Sequence, residues 1–294
     1  MTLRMRALRS MHALLVAAVS LTPLTPLAPM SRAEAQSGAP PTASGSSLFT
    51  PGDALLAAGV AAGVLLVRPL DDHFAARLQD SSTQANAKLH ALATFVRTTA
   101  APGAYYIGVS MYALGRLAGK EELAELGLHG TEALVLGDAT AAVLKGIIGR
   151  QRPYVRPRNP HSYQFMRGFG GGDPYRSFPS GHSVAAFAAA AAVSSQTAGW
   201  WPDTRWIIGP ALYGGAALAG VSRIYDNRHW ASDVIAGAGI GTFAGLKVVR
   251  YHSAHPGNRL DRWLLSGSLV PNEAGGRSLH WSLLPDVAFN RGTR

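Results

Sequence analysis

Long apolar segments rich in alanine and glycine recur along the chain, separated by polar or Gly/Pro-bearing links. They cover 54–67, 104–117, 132–148, 183–201, 206–221 and 234–249. Each outruns an ordinary strand, and none shows the alternation of β-branched residues that a half-buried strand requires, so helices are predicted. Between 71 and 98, Phe74, Leu78, Leu89, Leu92 and Phe95 stand among polar residues, which predicts one amphipathic helix. The expected fold class is all-α, a helical bundle of six to eight helices with a short irregular or hairpin C-terminal tail. In that tail, runs at 263–269 and 278–284 flank Asn272-Glu273-Ala274-Gly275-Gly276, a pattern open to either a hairpin or irregular chain.

The N-terminus adds a targeting signal. Arg4, Arg6 and Arg9 precede an apolar run over 11–27, and Ala33-Glu34-Ala35 supplies a cleavage pattern before Gln36. Pro23 and Pro26 inside the run argue against a spanning helix there, although a retained anchor is the alternative. Residues 36–48 are rich in Pro, Gly and Ser and suit a flexible leader. The expected organisation is a signal peptide over 1–35, a leader over 36–48, a domain over 49–255 and a tail over 256–294. Export to the periplasm follows, with an inner-membrane protein whose site faces the periplasm as the alternative.

Charge and composition narrow this further. Only 15% of the 294 residues are charged, yet the formal net charge is +10. Arg150, Arg152, Arg156, Arg158, Arg167 and Arg176 fall in one stretch. Such a cluster can serve nucleic acid, an anionic membrane or a small anion. Its position between two anion-binding motifs favours an electropositive site entrance, and no nucleic-acid partner is expected. Arg156, Arg158 and Arg167 read as solvated. The absence of cysteine excludes disulfides, thiolate metal sites and a cysteine nucleophile. Six apolar helices invite a membrane-spanning reading, but several segments have only 14–17 residues, against the roughly 20 a bilayer needs. Asp138 and Ser194-Ser195-Gln196-Thr197 interrupt others. A cleaved leader followed by three spans would also place the 145–182 loop in the cytoplasm. The balance favours a soluble or peripherally bound domain, with possible membrane association.

Three stretches carry the chemistry. Lys145 and Arg152 are seven residues apart, about two helical turns, and Pro153 follows as a helix terminator. On one helix face, a point charge and a planar fork would grip a tetrahedral oxyanion from two sides. Pro179-Ser180-Gly181-His182 precedes an alanine-rich run. Ser180 can cap that helix, its free N–H groups can cradle phosphate, Gly181 permits close approach, and His182 stands where a general acid could serve. Arg223 would add a third cation. His229 and Asp233 are four apart, so in a helix the carboxylate would fix the imidazole tautomer.

Written as K-x6-RP, SFPSGH and SR-x5-H-x3-D, with 25 residues between Pro153 and Pro179 and 39 between His182 and Ser222, the set resembles the type 2 phosphatidic acid phosphatase superfamily. That superfamily includes bacterial non-specific acid phosphatases, lipid phosphatases and vanadium haloperoxidases. The resemblance is close from Lys145 to Asp233. It implies a hydrolase of phosphate monoesters, lipid phosphates or diphosphates that uses neither metal nor other cofactor. It further implies His229 as nucleophile forming a phosphohistidine, His182 as acid and then base, and Asp233 as orienter. Lys145, Arg152, Ser180, Gly181 and Arg223 would bind the phosphate. An integral-membrane phosphatase acting on undecaprenyl diphosphate or phosphatidate is the alternative, and a haloperoxidase or a non-enzymatic phosphate binder ranks below it. Outside the motifs, Asp71-Asp72-His73 reads as an acid-decorated helix start. His252 and His255 lack a neighbouring carboxylate in sequence and read as surface residues, with no metal site expected.

Overall fold

The computed structural model describes residues 48–256, 258–265, 267–271 and 277–281. The expected signal peptide, almost all of the leader, and the segment 272–276 lie outside them. Eleven helices follow in order: α1 Pro51–Val67, α2 Asp71–Leu78, α3 Ser81–Gln84, α4 Ala87–Thr98, α5 Ala104–Ala118, α6 Glu121–Ile148, α7 Arg167–Gly170, α8 Gly181–Trp200, α9 Arg205–Tyr225, α10 Ala231–Ala254 and α11 Arg259–Leu265. The tail then forms an antiparallel pair, β1 Gly267–Pro271 with β2 Arg277–Trp281, in which Leu269 faces Leu279. The all-α class holds, and of the two readings of the tail the hairpin is the one observed.

Two element readings are corrected. The single helix expected over 71–98 is three, because Asp80 and Asn86 act as N-caps. The Asp80 side chain accepts from Ser82 N–H, and that of Asn86 accepts from Lys88 and Leu89 N–H. Each cap offers the backbone a fresh start where a continuous helix would have none. The other error is one of length. Helix α6 has 28 residues and opens with Glu121 and Glu122, acids that complement the positive end of the helix dipole. Its polar first turns hid it from an apolar-run reading.

Helices α8 and α10 form the centre, and their contact is made by small residues. A Cβ on Gly241 would lie 2.3 Å from the Val184 carbonyl oxygen, and one on Gly245 would lie 2.6 Å from that of Ala188. Backbones at that range gain dispersion over their whole facing length. Phe187, Ala190, Ala191, Tyr213, Ala216, Ala217 and Ala238 continue this core toward α9.

The outer surface is apolar. Leu55, Leu65 and Leu66 on α1, Tyr106, Ile107, Val109, Leu114 and Leu117 on α5, and Trp206 and Ile207 on α9 are all exposed. Three segments, Pro51–Leu78, Pro202–Tyr225 and Ala231–Ala254, are long and apolar enough to cross a membrane. The first buries none of its most apolar window within the protein. Water is a poor solvent for such a face, and hydrocarbon is a good one. The argument from short helices, which favoured a soluble domain, therefore fails.

Ion pairs mark the two ends of the bundle. Lys247 of α10 bonds to Asp53 of α1 and to the Leu48 carbonyl. At the other end of α10, Ser232 N–H donates at 2.7 Å to Oδ1 of Asp71, which opens α2 just beyond the end of α1 and is paired with Arg150. Gly241→Ala should destabilise the detergent-solubilised protein by about 1–3 kcal/mol through overpacking, read as a lowered thermal midpoint.

Candidate active site

Four helix termini meet at the Ser232 end: the C-termini of α6 and α9 and the N-termini of α8 and α10. The loop 149–180 runs over them. Helix α6 stops because Gly149 adopts φ +57, and any side chain there would collide with the Gln164 carbonyl, 1.8 Å from an added Cβ. Lys145 thus lies in the last helical turn, while Arg152 lies beyond it in the loop. They do not share a helix face, and Pro153 is not the terminator, contrary to the spacing argument.

Both cations nevertheless reach one place. Lys145 Nζ donates to the carbonyls of Pro179 and Arg176. Arg152 is buried, held by Asp173, whose backbone carbonyl accepts from Nε at 2.9 Å and whose Oδ1 accepts from Nη2 at 2.7 Å. Its Nη1 donates to the Arg228 carbonyl at 2.9 Å and to His229 Nε2 at 3.1 Å. Tyr154 and Arg228 brace Asp173 from outside, at 2.9 and 3.7 Å. Arg223, in the last turn of α9, pairs with Asp226 at 2.6 Å, and its buried Nε has no hydrogen-bond partner among the described residues.

Ser180 caps α8 as its spacing predicts: its Oγ accepts from Ser183 N–H at 3.4 Å and from Ser183 Oγ–H at 2.9 Å. Gly181 and His182 form the first two residues of α8. A Cβ on Gly181 would meet only Lys145 Cε, at 3.8 Å, which is ordinary contact. Nothing in the folded chain demands glycine at this position.

His229 is almost fully buried, and its partner differs from the one expected. The residue precedes α10, so it and Asp233 are not helical neighbours. Its Nδ1–H donates to the Ser177 carbonyl at 2.6 Å, whereas Asp233 Oδ2 stands 3.7 Å away. A backbone carbonyl accepts only from an N–H, so Nδ1 carries the proton and Nε2 the lone pair, toward which Arg152 points. Burial first, and then the charges of Lys145 and Arg152, push the His229 pKa down to about 3, against the pull of Asp233. The ring is neutral at ordinary pH.

Asp233 has a different task. Its Oδ2 accepts from Trp230 N–H at 2.9 Å, capping α10, and from Ser177 Oγ at 2.6 Å, while Oδ1 takes Arg150 Nη1 at 2.6 Å. It therefore fixes Ser177, and Ser177 fixes the imidazole.

The residues that motif reasoning left out are Arg150 and Asp71. Arg150 read as one more member of a basic cluster, yet its side chain is fully buried. It joins Asp233 to Asp71 at 2.6 and 2.7 Å, donates to Ser232 Oγ and twice to the Pro160 carbonyl, and lies over the Trp230 and Tyr163 rings. Nothing in the sequence links Arg150 to Asp71, which stands 79 residues away in an acid-decorated helix start. Arg156, Arg158 and Arg167 are exposed, as expected. His252, by contrast, is buried between Glu132 and Asp261, which corrects its reading as a surface histidine.

Two outcomes follow. Arg150→Met leaves two carboxylates buried without their cation and should cost about 3–5 kcal/mol, read by chemical denaturation. For His229, the folded pKa is depressed, so its contribution is complete above the unfolded value of about 6.5 and is lost as pH falls toward 3. The melting temperature should drop over that window, and the drop should be shallower in His229→Gln.

The chain shows similarity to known proteins. The PAP2 superfamily model matches residues 128–256, which contain every motif residue described above. Over 87 residues the chain is 40% identical to a lipid A 1-phosphatase of Porphyromonas gingivalis, covering 30% of this chain and 19% of that protein. The chain thus spans about one fifth of that curated relative's length. A solved structure, the first transmembrane PAP2 type phosphatidylglycerolphosphate phosphatase from Bacillus subtilis, is 18% identical and covers 67% of this chain and 98% of that one, with a TM-score of 0.32.

Proposed function

We propose that this chain, whose residues 128–256 are a PAP2 superfamily segment, is a membrane-embedded phosphatase that hydrolyses a lipid phosphate through a phosphohistidine. The observation that carries the reading is the state of His229. With Nδ1–H spent on the Ser177 carbonyl and a depressed pKa, Nε2 is a lone pair under the charges of Lys145 and Arg152.

The proposed first step is in-line attack of Nε2 on phosphorus. An N–P bond forms while the bond to the ester oxygen breaks. His182, whose pKa burial and then the Arg223 charge depress in the free site, takes a proton as the phosphate dianion binds and donates it to the departing oxygen. In the second step His182 takes a proton from water, whose oxygen attacks phosphorus and displaces His229. Inorganic phosphate leaves and both imidazoles are restored. Charge on the three equatorial oxygens is met by Lys145, Arg152 and Arg223, and by the N–H groups at the start of α8. Arg223 Nε, buried and unpartnered, is a donor in want of such an oxygen. Arg152 donates to Nε2 here, and on substrate binding that donation shifts to a phosphate oxygen. Gly181, tolerant of a side chain as far as the protein is concerned, is read as clearance for the substrate.

The lipid class is supported by the apolar exterior and by the relative named as a lipid A 1-phosphatase. The site lies at one end of α1 and α10 and Leu48 at the other. A leader cleaved at Ala35 and a site facing the periplasm therefore exclude each other if the bundle spans the bilayer. The membrane-embedded reading keeps the alternative location, which requires that the apolar run over 11–27 not cross the membrane.

His229→Ala in detergent micelles should abolish release of phosphate from a lipid phosphate while the thermal midpoint at pH 8 stays within a few degrees. Wild-type turnover should be lower on p-nitrophenyl phosphate than on the lipid. Retained turnover in the variant would remove the nucleophile assignment, and a preference for the soluble ester would remove the lipid class.

A further inference from the structure

At the end of the bundle away from the phosphate site, three residues from three helices converge. His129 lies near the start of α6, His252 near the end of α10, and Asp261 on α11. One ligand atom from each lies within 4.8 Å of the others. Asp233 and His252 are 19 residues apart on α10, so the cluster lies about 28 Å from the nucleophile's anchor.

The hydrogen bonding there is incomplete in a specific way. His129 Nδ1–H donates to Gln196 Oε1 at 3.2 Å, which leaves Nε2 turned toward the cluster. Across from it, 3.5 Å away, is Asp261 Oδ1. Both atoms are buried and neither has a hydrogen-bond partner among the described residues; Glu132 Oε1 shares that condition. His129 Nε2 and Asp261 Oδ1 thus face each other with no hydrogen bond made by either, and leaving such buried atoms unsatisfied is costly. His252 is flanked by carboxylates, Asp261 Oδ2 at 2.7 Å on Nδ1 and Glu132 Oε2 at 2.6 Å on Nε2. Asn258 holds Asp261 Oδ2 from a third side at 2.6 Å. The cluster adjoins a cavity of ≈ 600 Å³ whose lining also includes Glu125 and Arg262.

We propose that this cluster is a binding site for a divalent transition-metal cation of the zinc class, separate from the phosphate site. Its ligands are His129 Nε2, His252 Nδ1 and the Asp261 carboxylate. Two imidazoles and a carboxylate suit zinc in donor type and number, with the cavity side left for a fourth ligand. Tetrahedral bonds of about 2 Å separate ligand atoms by about 3.3 Å, close to the 3.5 Å between His129 and Asp261. Binding replaces the proton on His252 Nδ1. The remaining Nε2–H then donates to Glu132, and His129 Nδ1–H already donates to Gln196, the outer contacts that orient metal-bound histidines. The two rings stack with centroids 3.9 Å apart, so one of them turns about its Cβ–Cγ bond to share the ion, and the cavity supplies the room. The ion would tie α11 and the hairpin after it to α6 and α10.

The test uses the full chain in detergent, without a polyhistidine tag, equilibrated with Zn²⁺ and desalted. The unsubstituted protein should retain about one zinc per chain, and His252→Ala and Asp261→Asn should retain at least about fivefold less. His229→Ala should retain as much as the unsubstituted protein, which separates this site from the phosphate site. Zn²⁺ should raise the melting temperature of the unsubstituted protein and not that of Asp261→Asn, whose change on a partly exposed helix is mild. In the unsubstituted protein Co²⁺ should give visible bands of tetrahedral intensity. Zinc at background in the unsubstituted protein, or equal zinc in all variants, would overturn the proposal whatever the phosphatase assay gives.

Discussion

The Arg150 guanidinium holds the phosphate site in shape. Two carboxylates, Asp71 and Asp233, come from the beginnings of α2 and α10 and are removed from water completely. Neither could stay ionised there alone, and together they would repel. One planar cation with donors on both edges solves both problems, and its remaining N–H groups are spent on Ser232 and Pro160. Everything nearer the nucleophile hangs from this arrangement: Asp233 sets Ser177 and caps α10, and Ser177 sets His229. The energy of such a buried set is small on balance. Its value is that it admits one geometry.

The division of roles around His229 departs from a simple triad. Asp233 does not hold the imidazole directly, and a neutral carbonyl does. A carbonyl acceptor keeps the ring uncharged, where a direct carboxylate would favour the imidazolium. For the proposed nucleophile, which would present a lone pair to a dianion, the neutral partner is the better one. The cations around the ring act in the same direction, so the groups that hold the anion also keep its attacker unprotonated.

Much of this was legible in the sequence because the motifs are local. Ser180 as a cap and the start of α8 follow from four consecutive residues, and the all-α class follows from runs without alternation. Lys145 and Arg152 were rightly gathered to one site for the wrong reason, since a glycine in the left-handed region ends the helix before the arginine. What stayed hidden was carried by long-range pairing. Arg150 with Asp71, and His252 with Glu132, are distant in the chain, and a single sequence contains no record of such meetings. Helix ends were misjudged where acids and caps, rather than apolar residues, set them. That misjudgement also shortened the helices enough to favour a soluble protein.

The contact between α8 and α10 is made by backbone against glycine, and Ser180 N–H donates to the Asp233 carbonyl where the two helices begin. Neither helix can slide or roll without driving a carbonyl into a Cα. The proposed acid rides on one of these helices and the nucleophile's anchor on the other, so their spacing is a property of the bundle's centre rather than of any loop. The loop segment 153–176 is tied to the same centre from outside, through Asp173 on Arg152 and the Pro160 carbonyl on Arg150. Positions of that segment other than these supports, such as the exposed Arg156 and Arg158, can then change without altering the spacing that the two helices set.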